Sequence, residues 1–90
     1  MNKAQLIDAV ADATDISKAA AGRAVESVLD IIASSLRNGD TVTLVGFGTF
    51  TTRKRAARSG RNPRTGATIQ IPASTLQVFK PGKALKDAVN

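Results

Sequence analysis

Arg53-Lys54-Arg55-Ala56-Ala57-Arg58-Ser59-Gly60-Arg61-Asn62-Pro63-Arg64-Thr65-Gly66 is the stretch on which the reading of this chain turns. Six of its fourteen residues are cationic, none is acidic and none carries a large apolar side chain. On either side the residues are β-branched and alternate: Thr41 to Leu44 and Phe50 to Thr52 precede it, and Thr68 to Ile71 follow. Asn62 to Gly66 supplies the Asn, Pro and Gly that suit a reverse turn, and Pro72 interrupts the returning strand. The pattern predicts a hairpin over about 53–75, with two legs of about ten residues that each reach roughly 30 Å. Residues 53–68 offer too little hydrophobic burial to offset the entropy of ordering them. The expectation is an arm that is mobile alone and ordered by a partner.

Upstream the period changes from 2 to about 3.6. A first helix starts after Asn2 as N-cap, with Leu6, Ile7, Val10 and Ala13 on one face. After a break at Asp15-Ile16, Ser17 caps a second helix whose Ala21, Ala24, Val25, Val28, Leu29, Ile32 and Leu36 trace a face. Asn38-Gly39 stops it. The alanines at its start permit close approach, so the two helices should form a hairpin that is half a core in need of a cover. Gly46 and Gly48 flank Phe47 and suggest a bend with the ring turned inward. Phe79-Lys80-Pro81-Gly82 leads into a short helix from about Lys83, with Ala84, Leu85 and Ala88 facing in. The fold class is therefore α+β.

The charge is unevenly laid out. Residues 1–40 hold four basic and six acidic groups, for a net of −2, whereas residues 41–90 hold nine basic groups and one acid, for +8. From residue 41 to residue 86 there is no acid at all, so the positive field is concentrated and implies an anionic partner. The chain has no Cys and no His, which excludes zinc fingers, disulfides, thiol nucleophiles and imidazole acid or base chemistry. Its carboxylates have no catalytic constellation around them, and no enzyme, metal or cofactor is expected. The apolar runs fall far short of the roughly 20 residues of a membrane span, and no secretory core is present near Met1, so a soluble, cytoplasmic protein is expected.

Each candidate residue has a plain reading beside the functional one. Arg53, Lys54, Arg55, Arg58, Arg61 and Arg64 suit phosphate contact and insertion into a narrow minor groove; a merely solvated strand would intersperse acids, and a lipid-binding one would add large apolar anchors. Pro63 is an ordinary turn residue, yet among arginines a rigid ring without an N–H can also wedge between base steps. Phe47, Phe50 and Phe79 lie outside the basic run and read as core rather than as stacking platforms, which favours duplex over single strand. Lys3, Lys18, Lys80, Lys83 and Lys86 lie at or near expected helix beginnings and are either surface lysines or contacts to the flanks of a bent duplex. Gly46-x-Gly48 lacks the third glycine and the following helix of a nucleotide-binding loop. No helix carries a clear set of residues for major-groove reading, so binding should be largely independent of sequence.

Gly46-Phe47-Gly48-Thr49-Phe50, Arg55, Arg58, the run Gly60 to Gly66 and Phe79-Lys80-Pro81-Gly82-Lys83 together resemble the motif of the bacterial histone-like HU and integration host factor group of DNA-bending proteins. The likeness extends over all 90 residues, including Met1-Asn2-Lys3. It implies an intertwined dimer with a helical base, a β-sheet saddle and two protruding β-hairpin arms. Residues 1–90 would be a single DNA-binding domain: 1–40 the base, 41–82 the sheet with its arm at about 53–75, and 83–90 a C-terminal helix. It further implies intercalation by Pro63, groove contacts from Arg55, Arg58 and Arg61, and flank contacts from Lys3, Lys18 and Lys83; Asn62 and Arg64, beside Pro63 in the same run, are candidate DNA-binding residues as well. The partners would be double-stranded DNA and a second copy or a paralogue, in the nucleoid and not at a membrane. Thr75-Leu76-Gln77-Val78 departs from the family pattern, which has a basic residue and often a proline before Phe79, and this puts a phosphate contact at Thr75 in question. A site-specific heterodimer and an RNA or anionic-surface binder remain as rivals.

Overall fold

The computed structural model describes residues 1–90 and divides them into two compact units, Met1–Ser35 and Leu36–Asn90. The division falls inside the second helix rather than after Asp40. No helix is long and apolar enough to cross a membrane.

The first unit holds α1 (Lys3–Thr14) and most of α2 (Lys18–Arg37). The Asn2 side chain accepts the Gln5 N–H at 2.9 Å while the Gln5 side chain accepts the Asn2 N–H at 2.9 Å. This capping box fixes the start of α1 where the sequence placed it. Asp15 ends the helix in the left-handed region at φ 57°. Ser17 Oγ accepts the Ala20 N–H at 3.1 Å and caps α2. Ion pairs Lys3–Glu26 and Lys18–Asp8, and the approach of Ile7 to Gly22, where an added Cβ would lie 3.9 Å from Ile7 Cγ2, show that the two helices run antiparallel. Only Ala11, Ala21 and Val25 are buried. Ala11, not Ala13, is the buried alanine of α1, one turn on from Ile7. Leu6, Val28 and Leu29 remain more than a third exposed along a groove they share with Val10, Ala24 and Val25, so the expected half-core is present without its cover.

The second unit is built on antiparallel strands: β1 (Val42–Leu44), β2 (Gly48–Arg55), β3 (Arg58–Arg61), β4 (Thr68–Ile71) and β5 (Ser74–Pro81), followed by α3 (Lys83–Val89). β1, β2 and β5 form a three-stranded sheet in that order, and β3 pairs with β4 alone. A tight turn joins β1 to β2, with the Phe47 N–H donating to the Leu44 carbonyl at 3.0 Å. Thr75 to Val78, for which the residues alone indicated no strand beyond the hairpin's end at about Thr75, belong to β5 opposite Lys54 to Thr51, within the 41–82 sheet that the family likeness implies. In α3 Leu85 alone is half-buried, whereas Ala84 and Ala88 are exposed, contrary to the expected inward face.

Candidate nucleic-acid interface

The two ladders share one register. Arg55 faces Ser74 in the first and Arg58 faces Ile71 in the second, so neither leg gains or loses a residue across the gap at Ala56-Ala57 and Pro72-Ala73. Pro72 has no N–H to donate, which accounts for an interruption without a slip. The hairpin is one ribbon with a break in its ladder, where the sequence reading foresaw only Pro72 as an interruption.

Alternation along the strands sorts its residues. In the three-stranded sheet Phe50 lies directly opposite Phe79, and Val42 opposite Phe50 on the same face. The rings of Phe47 and Phe50 pack tilted against Phe79, with centroids 5.5 and 4.7 Å away, but Phe47 and Phe79 stay 45% and 39% exposed, so the inward-turned core expected of them is not closed within one chain. Arg53 and Arg55 lie on the other face, opposite Leu76 and Ser74, with Lys80 opposite Thr49. That face also holds Thr51, whose hydroxyl meets that of Thr41 at 3.2 Å. Lys54, opposite Thr75, is on the aromatic side.

Beyond the gap Arg58 and Arg61 separate. Arg58 shares a face with Gly60, Ile69 and Ile71, whereas Arg61 shares one with Ser59, Thr68 and Gln70. Gln70 Nε2 and Ser59 Oγ, 3.3 Å apart, bridge the polar face. At the tip the Asn62 side chain accepts the Arg64 N–H at 2.9 Å, its carbonyl accepts the Gly66 N–H at 2.8 Å, and its own N–H donates to the Ala67 carbonyl at 2.8 Å. Asn62 thereby organises the turn that presents Pro63 and Arg64, both exposed. Sequence reasoning named every cation of the arm and placed Ile69 and Ile71 on its returning strand, but did not single out the face they share with Gly60. The alternation Thr68-Ile69-Gln70-Ile71 carried the signal.

None of the nine basic residues after Asp40 forms an ion pair, and all nine are exposed. Lys3 and Lys18 do start helices as expected, but each has a carboxylate partner. Such exposed pairs are worth about 0–1 kcal/mol and yield readily to a phosphate. Lys83 is the first residue of α3. Two placements are corrected: Lys80 lies within β5, and Lys86 lies in the last turn of the seven-residue α3 rather than near its beginning.

The family profile described as "Bacterial DNA-binding protein" matches residues 1–90. The chain is 60% identical over 89 residues to DNA-binding protein HU 1 of Bacillus subtilis, covering 99% of this chain and 97% of that one. It is 59% identical over 90 residues to DNA-binding protein HU-beta of Escherichia coli K12, with both chains fully covered. Among solved structures, an Anabaena HU–DNA cocrystal structure matches with a TM-score of 0.88 and 43% identity, over 99% of this chain and 97% of that one. HU from Thermotoga maritima matches with a TM-score of 0.71 and 31% identity over the whole of both chains.

Proposed function

The chain belongs to the HU family of bacterial DNA-binding proteins, and from that premise we propose that two copies grip a bent duplex, one basic arm from each following the minor groove. Its role is architectural DNA binding, largely independent of sequence, that organises the bacterial chromosome in the nucleoid. The observation that carries this reading is the arm itself, six cations on one hairpin with no acid among them and no ion pair to any. Arg53, Arg55 and Lys80 line the sheet face turned away from the aromatics; Lys54, Arg58, Arg61 and Arg64 carry positive charge along the rest of the ribbon. Lys3, Lys18, Lys83 and Lys86 meet phosphates on the flanks, with the Glu26 and Asp8 pairs exchanged for DNA.

Exposed surface supports a second copy. The chain exposes 7070 Å², whereas a self-contained monomer of its 9.4 kDa exposes roughly 5,000 Å² by size scaling. The arm accounts for part of the excess, and Leu6, Val28, Leu29 and Ile31 for another part. A homodimer covers them. A heterodimer with a paralogous chain is the second reading, favoured by the numbered and lettered names of the relatives. The mass of the assembly, pure and after mixing with a paralogue, distinguishes the two.

Pro63 is the wedge: exposed at the tip and held by the Asn62 turn, it enters a base step and kinks the duplex. Energy transfer between dyes on the two ends of a bound fragment tests this. Pro63→Ala should straighten the fragment while lowering affinity much less, and an unchanged end-to-end distance would reject the wedge.

A further inference from the structure

The distal arm has one apolar face and one polar face, although a two-stranded ribbon has no core to fill. Ile71 closes over Gly60: a Cβ added there would lie 3.0 Å from Ile71 Cδ1 and 3.5 Å from Ile69 Cγ1. Ile69 is 46% exposed, and β3 and β4 pair with no third strand. Ile69 and Ile71, closed over Gly60, thus form a continuous apolar strip with Arg58 on the same face. The opposite face, Ser59, Arg61, Thr68 and Gln70, is hydrogen-bonding throughout.

We propose that this strip is a seat for deoxyribose, and that it makes the arm select DNA over RNA. The inference rests on the reading that the arms enter the minor groove. The unpaired cations around the strip fix the occupant as a polyanion, and the strip fixes which surface of that polyanion it meets. Sugars in the DNA groove present C–H groups to the isoleucine methyls, and Gly60, lacking a side chain, lets Ile71 fold flat over the backbone so that the apolar surface is unbroken. In RNA the same position bears a 2′-hydroxyl. Pressed against isoleucine it would lose water and gain no hydrogen-bond partner. A second copy of the arm could also cover the strip, but it would bring Arg58 and its neighbours against like charges.

The test compares a DNA duplex and an RNA duplex of the same length and sequence at one salt concentration. Wild-type protein should prefer DNA. Ile69→Thr/Ile71→Thr keeps β-branching and charge, and should weaken DNA binding about tenfold, the burial of two half-covered isoleucines, while leaving RNA binding unchanged. Ile69→Val/Ile71→Val keeps the strip apolar and should retain the preference, which separates loss of the seat from loss of the ribbon. Equal weakening for both duplexes, undiminished DNA binding by the threonine variant, or no preference in the wild type would each overturn the proposal. Netropsin, a minor-groove ligand, separates the two levels. If it fails to displace wild-type protein from DNA, the groove reading itself fails; if it displaces the protein and the threonine variant keeps its preference, only the seat is wrong.

Discussion

Replacing Gly48 by alanine should damage the sheet that roots the arm. Gly48 is buried opposite Pro81, and an added Cβ would lie 2.6 Å from Phe79 Cζ, 2.7 Å from Phe79 Cε1 and 2.7 Å from the Lys80 carbonyl oxygen. Carbon atoms rest at about 3.5–4.0 Å, so the overlap is about 1 Å. The Phe79 ring, 39% exposed, can shift only by giving up its packing on Phe47 and Phe50, and the Lys80 oxygen is backbone and cannot move independently. Relief requires opening the β2–β5 ladder at its base. Overpacking of this kind costs about 1–3 kcal/mol, and with backbone involved the upper end applies. At about 4–8 °C per kcal/mol for a chain of this size, Tm should fall by about 10–20 °C. The assay is thermal unfolding by circular dichroism at one protein concentration, since an assembly's Tm depends on concentration. Gly46→Ala is the internal standard: Gly46 has φ 84° but open space around its Cβ position, so only the backbone cost of about 1 kcal/mol applies. A Gly48→Ala protein that melts with the wild type, or above Gly46→Ala, would refute the packing argument.

Two further substitutions follow from single residues. Asp15 ends α1 at φ 57°, so Asp15→Gly should relieve about 1 kcal/mol of left-handed strain and raise Tm; an unchanged or lower Tm would count against it. Asn62→Ala removes the acceptor that holds the Arg64 N–H, worth about 1 kcal/mol, and should weaken DNA binding about fivefold in a titration while leaving Tm in place.

Local signals carried the parts of the fold that depend on local chemistry. Asn2 and Ser17 announced their caps, Asn62 to Gly66 its turn, and the absence of acids from 41 to 86 the cationic arm. What escaped depends on pairing. Leu76 to Val78 extend the hairpin's returning leg past its expected end at about Thr75 because β2 lies beside them, and nothing in Leu-Gln-Val alone distinguishes them from a loop. The separation of Arg58 from Arg61 onto opposite faces needs the register, as does the strip around Gly60. Ala11 replaced Ala13 as the buried residue because four alanines in α1 leave its inner face ambiguous within one turn. Lys86 was misplaced because α3 is only seven residues long, so its last turn begins three residues after its first.

If the unpaired cations of the arm bind phosphate, the salt dependence of DNA binding measures it directly. If a dimer neutralises on the order of 6–10 phosphates, the logarithm of affinity should fall against the logarithm of potassium chloride with a slope of about −5 to −9. Replacing Arg58, Arg61 and Arg64 together by glutamine removes up to six of those contacts from the pair of arms, and should flatten the slope by about 5. A nearly flat dependence for the wild-type protein, or a slope that survives the triple replacement, would contradict the account.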